Sequence, residues 1–416
     1  MYEKLSDTFK GVAVKYLTRV DANPVKSNQH EIGGLKKAGI SDLLGYPHNG
    51  QKWYIPATMI YISDTEDNLI GVEDHVSWYD TRFKQAHRSA EYRLYYKSNE
   101  VTSMFKEGDF FLIALTHDNH LLMIFSPPES QAEFQLRSLF GIYNEKIKDQ
   151  LSAVHFSQKS ILVPVRLLLE QLGIEIHSAR EKEAKYLDLI LDRFGLSFPS
   201  TKLFSEFART ITSDEELSVI SPDNALITWM DTEEMLFRIL EREIVREKLK
   251  KGFGEHGDDV DEFVSFSLTV QNRRKSRVGH AFENHIERIL LDNNIIFQRG
   301  AKTEGKQTPD FLFPNEASYH DLSFDESKLR MLGAKTTCKD RWRQVLAEAN
   351  RIKRKHLITL QPAISEDQTN EMRNKELQLI VPEALHPTFT DNQQKWLITF
   401  SAFVEEIKQV QNNSLI

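Results

Sequence analysis

Asp310, Lys335 and Glu348 have the side chains and the spacing for phosphodiester chemistry. Asp310 lies where "KTEGKQTPDFLFP" (302–314) turns into a strand, and Lys335 lies about 25 residues later, near the end of "KLRMLGAKTT" (328–337). Two adjacent strands of that kind bring such residues side by side at one edge of a sheet. Glu348 follows in "DRWRQVLAEANRI" (340–352), read as a helix with Trp342, Val345, Leu346, Ala349 and Ile352 on one stripe. Glu283 sits on the preceding helix, so three carboxylates and one lysine could converge.

That set suits a hard Mg²⁺ ion, which takes a few carboxylate oxygens plus water and a substrate phosphate. Asp310 and Glu348 are the expected ligands. Lys335 is expected to hold the attacking water and stabilise the charge that develops on the phosphate. The residues also have plainer uses, since Pro-Asp pairs begin many strands and a lysine after Leu-Gly-Ala can simply mark a strand end. Lys339, Asp340 and Arg341 come next. Lys and Arg match guanine O6 and N7 while Asp accepts from cytosine N4, so the triplet could read neighbouring G·C pairs from a helix start. It could equally be a solvated first turn capped by Asp340.

The elements that must position these groups are legible in outline. "VGHAFENHIERILLDNN" (278–294) has apolar residues at 278, 282, 286, 289 and 290 with Asn-Asn as a stop, and "KHLITLQPAIS" (355–365) reads as a buried strand. Residues up to about 170 contain short alternating runs, 52–63, 91–98, 109–116 and 120–127, separated by turn-like clusters. These predict a β barrel or sandwich with few helices. At about 179 the texture becomes charged and helix-favouring. The expected organisation is a β domain over 1–177, a connector over 178–195 and an α/β domain over 196–416.

Composition is that of a folded chain, 416 residues long with 40% hydrophobic and 27% charged residues. No apolar run approaches the roughly 18 residues of a membrane span, and the first residues lack signal-peptide regions, which predicts a cytoplasmic protein without membrane contact. A single cysteine, Cys338, excludes a disulfide framework and a Cys-rich zinc site. The net charge of −8 disfavours phosphate-backbone binding in sum, but Lys and Arg cluster in "RRKSR" (273–277), "KDRWR" (339–343) and "RIKRKH" (351–356). The last could track phosphates or be a charged helix end. "GFGEHGDDVDE" (252–262) fits neither a phosphate loop nor a calcium loop, and "THDNH" (116–120) reads as a hairpin turn.

"QNRRKSRVGHAFENHIE", "TPDFLFPNEASYHD" and above all "LRMLGAKTTCKDRWRQVLAEANRI" closely resemble the catalytic domain of the EcoRII-type restriction endonucleases. These are PD-(D/E)XK nucleases that cut short CCWGG- or CCNGG-like sites. The resemblance spans roughly 250–390 and implies an α/β restriction-endonuclease-like domain preceded by an N-terminal β pseudobarrel of B3 type. It implies Asp310, Lys335 and Glu348 as catalytic positions, Glu283 as an additional helical acid, and Lys339, Asp340 and Arg341 as readers of G·C pairs. Gly333 stands where an acid two residues before the lysine is usual, leaving Glu348 to supply that ligand.

Family members swing central bases out of the duplex with an Arg and a Tyr. Neither stands at the corresponding places in "NALITWMDTEEMLFRIL" (224–240), and Trp229 is the candidate stacking surface, with a core role equally open. The first domain is expected to bind DNA through two arms that mix polar, basic and aromatic residues. Its candidate contacts are Lys26, Asn28, Gln29, His30, Arg82, Lys84, Arg88, Glu91 and Arg93. Cutting both strands of a symmetric site needs two active sites, which predicts a homodimer through the C-terminal domain on double-stranded DNA. A methylation-directed nuclease and a DNA-binding regulator with an inactive nuclease fold are the competing expectations.

Overall fold

The computed structural model describes residues 9–22, 30–63, 70–85, 87–140, 142, 147, 151–154, 180–212, 221–305, 307–338 and 341–412. Described residues up to Val154 belong to one unit, and nearly all those from Arg180 onward to a second. The first is organised by β1 (Phe9–Tyr16), β2 (Glu31–Ile32), β3 (Lys52–Tyr61), β4 (Ile70–Asp80), β5 (Tyr92–Tyr95), β6 (Phe110–Thr116), β7 (Leu121–Ser126) and β8 (Ser152–Val154). They form one eight-stranded sheet in the order β2-β5-β4-β3-β7-β6-β1-β8, antiparallel except for the β3–β7 pair.

Period-two patterning explains why β6 and β7, inside this sheet, are buried on both faces. In β6, Phe111, Ile113 and Leu115 join one apolar cluster, while Phe110, Leu112 and Ala114 join another on the opposite side. Helix α1 (Gln131–Leu139) adds Leu136 to the second cluster. Pro56 lies in β3 just before the stretch paired with β7, Ala57–Tyr61, where its missing N–H breaks no ladder on that side. The 116–120 segment closes the β6–β7 hairpin, with Thr116 N–H donating to His120 O at 2.9 Å and Asn119 at φ 65°.

The second unit begins with four helices, α2 (Arg180–Phe194), α3 (Thr201–Thr212), α4 (Pro222–Lys251) and α5 (Val260–Asp292). The segment read as a connector forms α2, and its Ile190 packs with Phe204, Phe207, Leu236 and Phe237. Local chemistry starts the long helices: Ser221 caps α4 ahead of Pro222, and the Asp259 carboxylate accepts from Glu262 N–H at 2.9 Å at the start of α5. The periodic stretch seen from 278 is thus the C-terminal half of α5. Its buried stripe, Ala281, Phe282, Ile286, Ile289 and Leu290, has the spacing of one helix face.

Five strands follow: β9 (Gln298–Arg299), β10 (Phe311–Phe313), β11 (Arg330–Lys335), β12 (Lys355–Thr359) and β13 (Leu377–Ile380). Their order is β13-β12-β11-β10-β9, with β9, β10 and β11 antiparallel and β11, β12 and β13 parallel. All of β12 and β13 is buried, as expected of parallel strands covered on both faces. The C-terminal helix, α7 (Phe400–Asn412), sets Phe403 against Phe313 with ring centroids 5.8 Å apart. Among the described residues between β11 and β12 only Trp342–Val345 is α-helical; this is α6. The apolar stripe through Trp342, Val345, Ala349 and Ile352 is buried as its spacing suggests, but the helix expected to carry it stops early. Among the described residues no helix is long and apolar enough to cross a membrane.

Candidate active site

The antiparallel register pairs Phe311 with Leu332, so Asp310, one residue before β10, comes to lie beside the end of β11. Its Oδ2 accepts two hydrogen bonds, from Ala334 N–H at 2.7 Å and from Lys335 Nζ at 2.8 Å. The backbone contact fixes the carboxylate, and the charge-assisted one fixes the ammonium against it. Both side chains stay reachable, at 19% and 22% exposure.

Glu348 completes the group from a turn, not from a helix as expected. Its carboxyl is pushed up to about 7, first by burial and then by the negative charge of Asp310, against the pull of Lys335 and Lys355. Its Oε2 is buried and makes no hydrogen bond among the described residues. Gly333 leaves little room for an acid on β11. A Cβ on Gly333 would meet the Val345 methyls at 3.0 and 3.2 Å, so a side chain there would need Val345 of α6 to give way.

The turn is held by groups distant in sequence. Ala349, at φ 49°, donates its N–H to Thr303 Oγ1 at 3.3 Å. Asn350 N–H donates to both oxygens of Glu304 at 3.2 Å, and Arg351 N–H donates to the Tyr319 hydroxyl at 3.1 Å. The Tyr319 hydroxyl in turn donates to Glu304. Lys355 Nζ, 7% exposed at the start of β12, donates to Ile352 O at 2.9 Å and Ala349 O at 3.3 Å. Helix propensity in 340–352 is overridden by this cradle. No motif spacing marked Thr303, Glu304 or Lys355; the faint signal was a lysine opening "KHLITL", a run that reads as a buried strand.

Comparison with known proteins follows the same residues. Positions 237–404 match the family described as EcoRII C terminal. The second unit therefore carries an EcoRII C-terminal domain. Over 231 residues the chain is 38% identical to the type II restriction enzyme EcoRII of Escherichia coli, covering 55% of each protein, so it spans about half the length of that relative. Among solved structures, metal-depleted Ecl18kI in complex with uncleaved, modified DNA aligns with TM-score 0.43 and 18% identity, over 56% of this chain and 85% of that one. The PspGI–substrate DNA complex aligns with TM-score 0.43 and 16% identity, over 52% and 94%.

Within the EcoRII C-terminal domain, the mixed sheet flanked by helices is the restriction-endonuclease-like α/β fold, with Asp310 and Lys335 at the ends of neighbouring strands and Glu348 on the turn close enough to feel both charges. Glu283 is elsewhere engaged: Arg299 reaches Glu283 Oε2 at 2.6 Å and Glu287 Oε2 at 2.8 Å. Among the described residues no three His, Cys, Asp or Glu side chains cluster as metal ligands. Arg341 is exposed at the start of α6, its N–H donating to Cys338 O at 2.8 Å; Lys339 and Asp340 lie outside the described residues. Upstream of the match, Trp229 is 8% exposed, with the Arg209 guanidinium 5.8 Å from its ring and the His285 ring 5.7 Å away.

Much of the basic clustering is used internally. Arg274 and Arg277 pair with Glu241 and with Glu233 and Glu234, and Arg273 lies 4.5 Å over Phe198. Arg351 donates to the carbonyls of Tyr319, Asp321 and Phe324. In the first unit, Lys26, Asn28 and Gln29 lie outside the described residues. Arg82 and Arg93 both pair with Glu91, and Arg93 also with Glu31. Lys84 and Arg88 are exposed, while the half-buried His30 ring packs edge-on to Tyr96 at 5.5 Å.

Proposed function

We propose that the chain is a type II restriction endonuclease that cuts both strands of DNA at a short G·C-rich site of CCWGG or CCNGG type. The observation that carries this is the Asp310–Lys335 pair with the unbonded Glu348 oxygen beside it, inside the region that matches the EcoRII C-terminal family. Two carboxylates and no third ligand suit Mg²⁺, which keeps several waters and shares its shell with a phosphate. A buried carboxylate oxygen without a partner also fits a cation, because it has otherwise lost its water for nothing.

Asp310 and Glu348 would hold the ion. When bound, it supplies charge neutralisation and a more acidic water. Lys335 does the rest from the sheet edge: its ammonium, restrained by Asp310 Oδ2, orients a water towards phosphorus and donates to a non-bridging oxygen as charge builds there. A new P–O bond forms to water as the bond to the leaving oxygen breaks, yielding a phosphomonoester and an alcohol. Arg341, with Lys339 and Asp340, would read G·C edges, and two copies joined through the C-terminal domain would address the two strands. The first unit, an eight-stranded sheet with exposed Lys84 and Arg88, would act as a B3-like DNA-binding effector or specificity module.

Incubating methylated and unmethylated plasmid with the protein, with and without Mg²⁺, and sequencing the ends tests this. Mg²⁺-dependent fragments with one common end sequence are expected. DNA binding without fragments would favour a regulator, and cutting of methylated plasmid alone a methylation-directed nuclease.

A further inference from the structure

The turn that presents Glu348 has an unusual internal support. A lysine ammonium is a strongly hydrated group that is seldom buried unless its donors are satisfied. Lys355 is nonetheless 7% exposed, and it gives two of its three N–H donors to backbone carbonyls of one short segment, Ala349 and Ile352. The first of those carbonyls belongs to the left-handed Ala349 itself, a conformation costly for a residue with a side chain and maintained only where surroundings impose it. On the other side of the turn, Thr303 and Glu304 take the N–H groups of Ala349 and Asn350. Donors and acceptors of the segment are thus clamped from two directions, and the residue immediately before it is Glu348.

We propose that Lys355 is a positioning residue for the metal site: by bonding the Ala349 and Ile352 carbonyls from inside the domain, it sets the turn so that the Glu348 carboxylate faces Asp310. Thr303 and Glu304 complete the clamp from the opposite side. The positive charge serves here as a scaffold element, filling the place that the absent continuation of α6 leaves, and it need not touch DNA or the reacting phosphate. The inference rests on the reading of Asp310 and Glu348 as metal ligands. It goes beyond that reading by assigning a role to a buried lysine in a basic cluster otherwise suggestive of phosphate contact.

Mn²⁺ binding followed by electron paramagnetic resonance, in the full-length protein without DNA, separates the two claims. The wild type should bind Mn²⁺ at a site that Glu348→Gln removes; if it does not, the metal reading itself fails. Given that site, Lys355→Met should weaken Mn²⁺ binding about tenfold or more, the usual cost of removing a group that orients a ligand. Lys355→Arg, which keeps donors for the two carbonyls, should recover most of it. Thermal denaturation identifies variants that have lost the fold. If Lys355→Met does not fold, Glu304→Ala, which strips the acceptors from Asn350 N–H at a more exposed position, decides in its place with the same expected direction. A folded Lys355→Met, or in its absence a folded Glu304→Ala, that binds Mn²⁺ like the wild type overturns the proposal, and so does Lys355→Arg binding as weakly as Lys355→Met.

Discussion

Lys335 Nζ lies 2.8 Å from Asp310 Oδ2, an oxygen that also accepts the Ala334 N–H. The lysine is therefore restrained by a carboxylate that the backbone of its own strand already holds. Removing the ammonium should leave the sheet intact and take away the group that stabilises charge on the phosphate. Lys335→Ala is expected to slow cleavage by at least about 10²–10³-fold while DNA affinity changes little. Single-turnover cleavage and gel-shift titration check this, and unchanged cleavage would remove the lysine from the mechanism.

Glu348 couples the site to stability. Burial and Asp310 raise its carboxyl from 4.5 to about 7 in the folded, metal-free protein. Its folded pKa lies above the unfolded one, so its contribution is whole below about pH 4.5 and is lost as pH rises through about 7. That gap corresponds to roughly 3 kcal/mol, and partial exposure reduces it to about 1–2 kcal/mol. Without divalent metal, Glu348→Gln should accordingly be more stable than wild type by about 1–2 kcal/mol at pH 8 and equal to it near pH 4.5. Urea denaturation at the two pH values measures this; an equal difference at both would rule out the titration.

Asp310 and Lys335 were legible because strand register is local: a short apolar run, a turn-rich interval and a second apolar run leave few ways to pair. Glu348 was legible as a residue but not as a geometry. Trp342, Val345, Ala349 and Ile352 keep helical spacing, yet the chain leaves the helix after Val345 because Thr303, Glu304 and Lys355 satisfy its polar groups in another shape. Sequence spacing carries no trace of those partners. The internal use of some basic side chains was illegible for a related reason. Arg277 and Arg351 look like a phosphate footprint until their buried carboxylate and carbonyl partners are known. In the first unit, alternation was enough to indicate the β-rich unit, whereas strand order, including the parallel β3–β7 pair, depends on contacts far apart along the chain.

Arg341 is the member of the expected reading triplet whose position is described. It is exposed, and its loop is anchored by buried Cys338, whose N–H donates to the Gln361 side chain. An exposed guanidinium on a fixed base suits a bidentate contact with guanine. Arg341→Ala is expected to lower discrimination against a substituted G·C pair by about 1–3 kcal/mol without altering the Mg²⁺ requirement. Cleavage of a set of single-substitution oligonucleotides reads this out; uniform loss across all sequences would make Arg341 a phosphate contact instead.

Arg277 is a buried charge with two buried partners. It lies 6% exposed between Glu233 and Glu234, with NH1 3.2 Å from Glu233 Oε1. Glu233 Oε2 is 3.0 Å from His285 Nε2, and the other ring nitrogen, Nδ1, accepts from Arg209 at 3.0 Å. A guanidinium can only donate, so Nδ1 is unprotonated and His285 is neutral, in keeping with the downward push that burial gives its pKa. Arg277, Arg209 and Arg238, whose Nε lies 2.8 Å from Glu234 Oε1, are then the permanent cations among these groups, and Arg277 is the one directly paired with both buried acids. Arg277→Met should leave Glu233 and Glu234 buried without that cation and destabilise the second unit by about 3–5 kcal/mol. The loss should shrink as pH falls and Glu233, left without the guanidinium that holds its carboxyl down, takes up a proton, because a neutral acid no longer needs a cation beside it. Denaturation of Arg277→Met at pH 8 and pH 5 measures both effects, and a pH-independent loss would indicate that packing of the arginine stem on Phe237, 4.1 Å from the guanidinium, accounts for the whole cost.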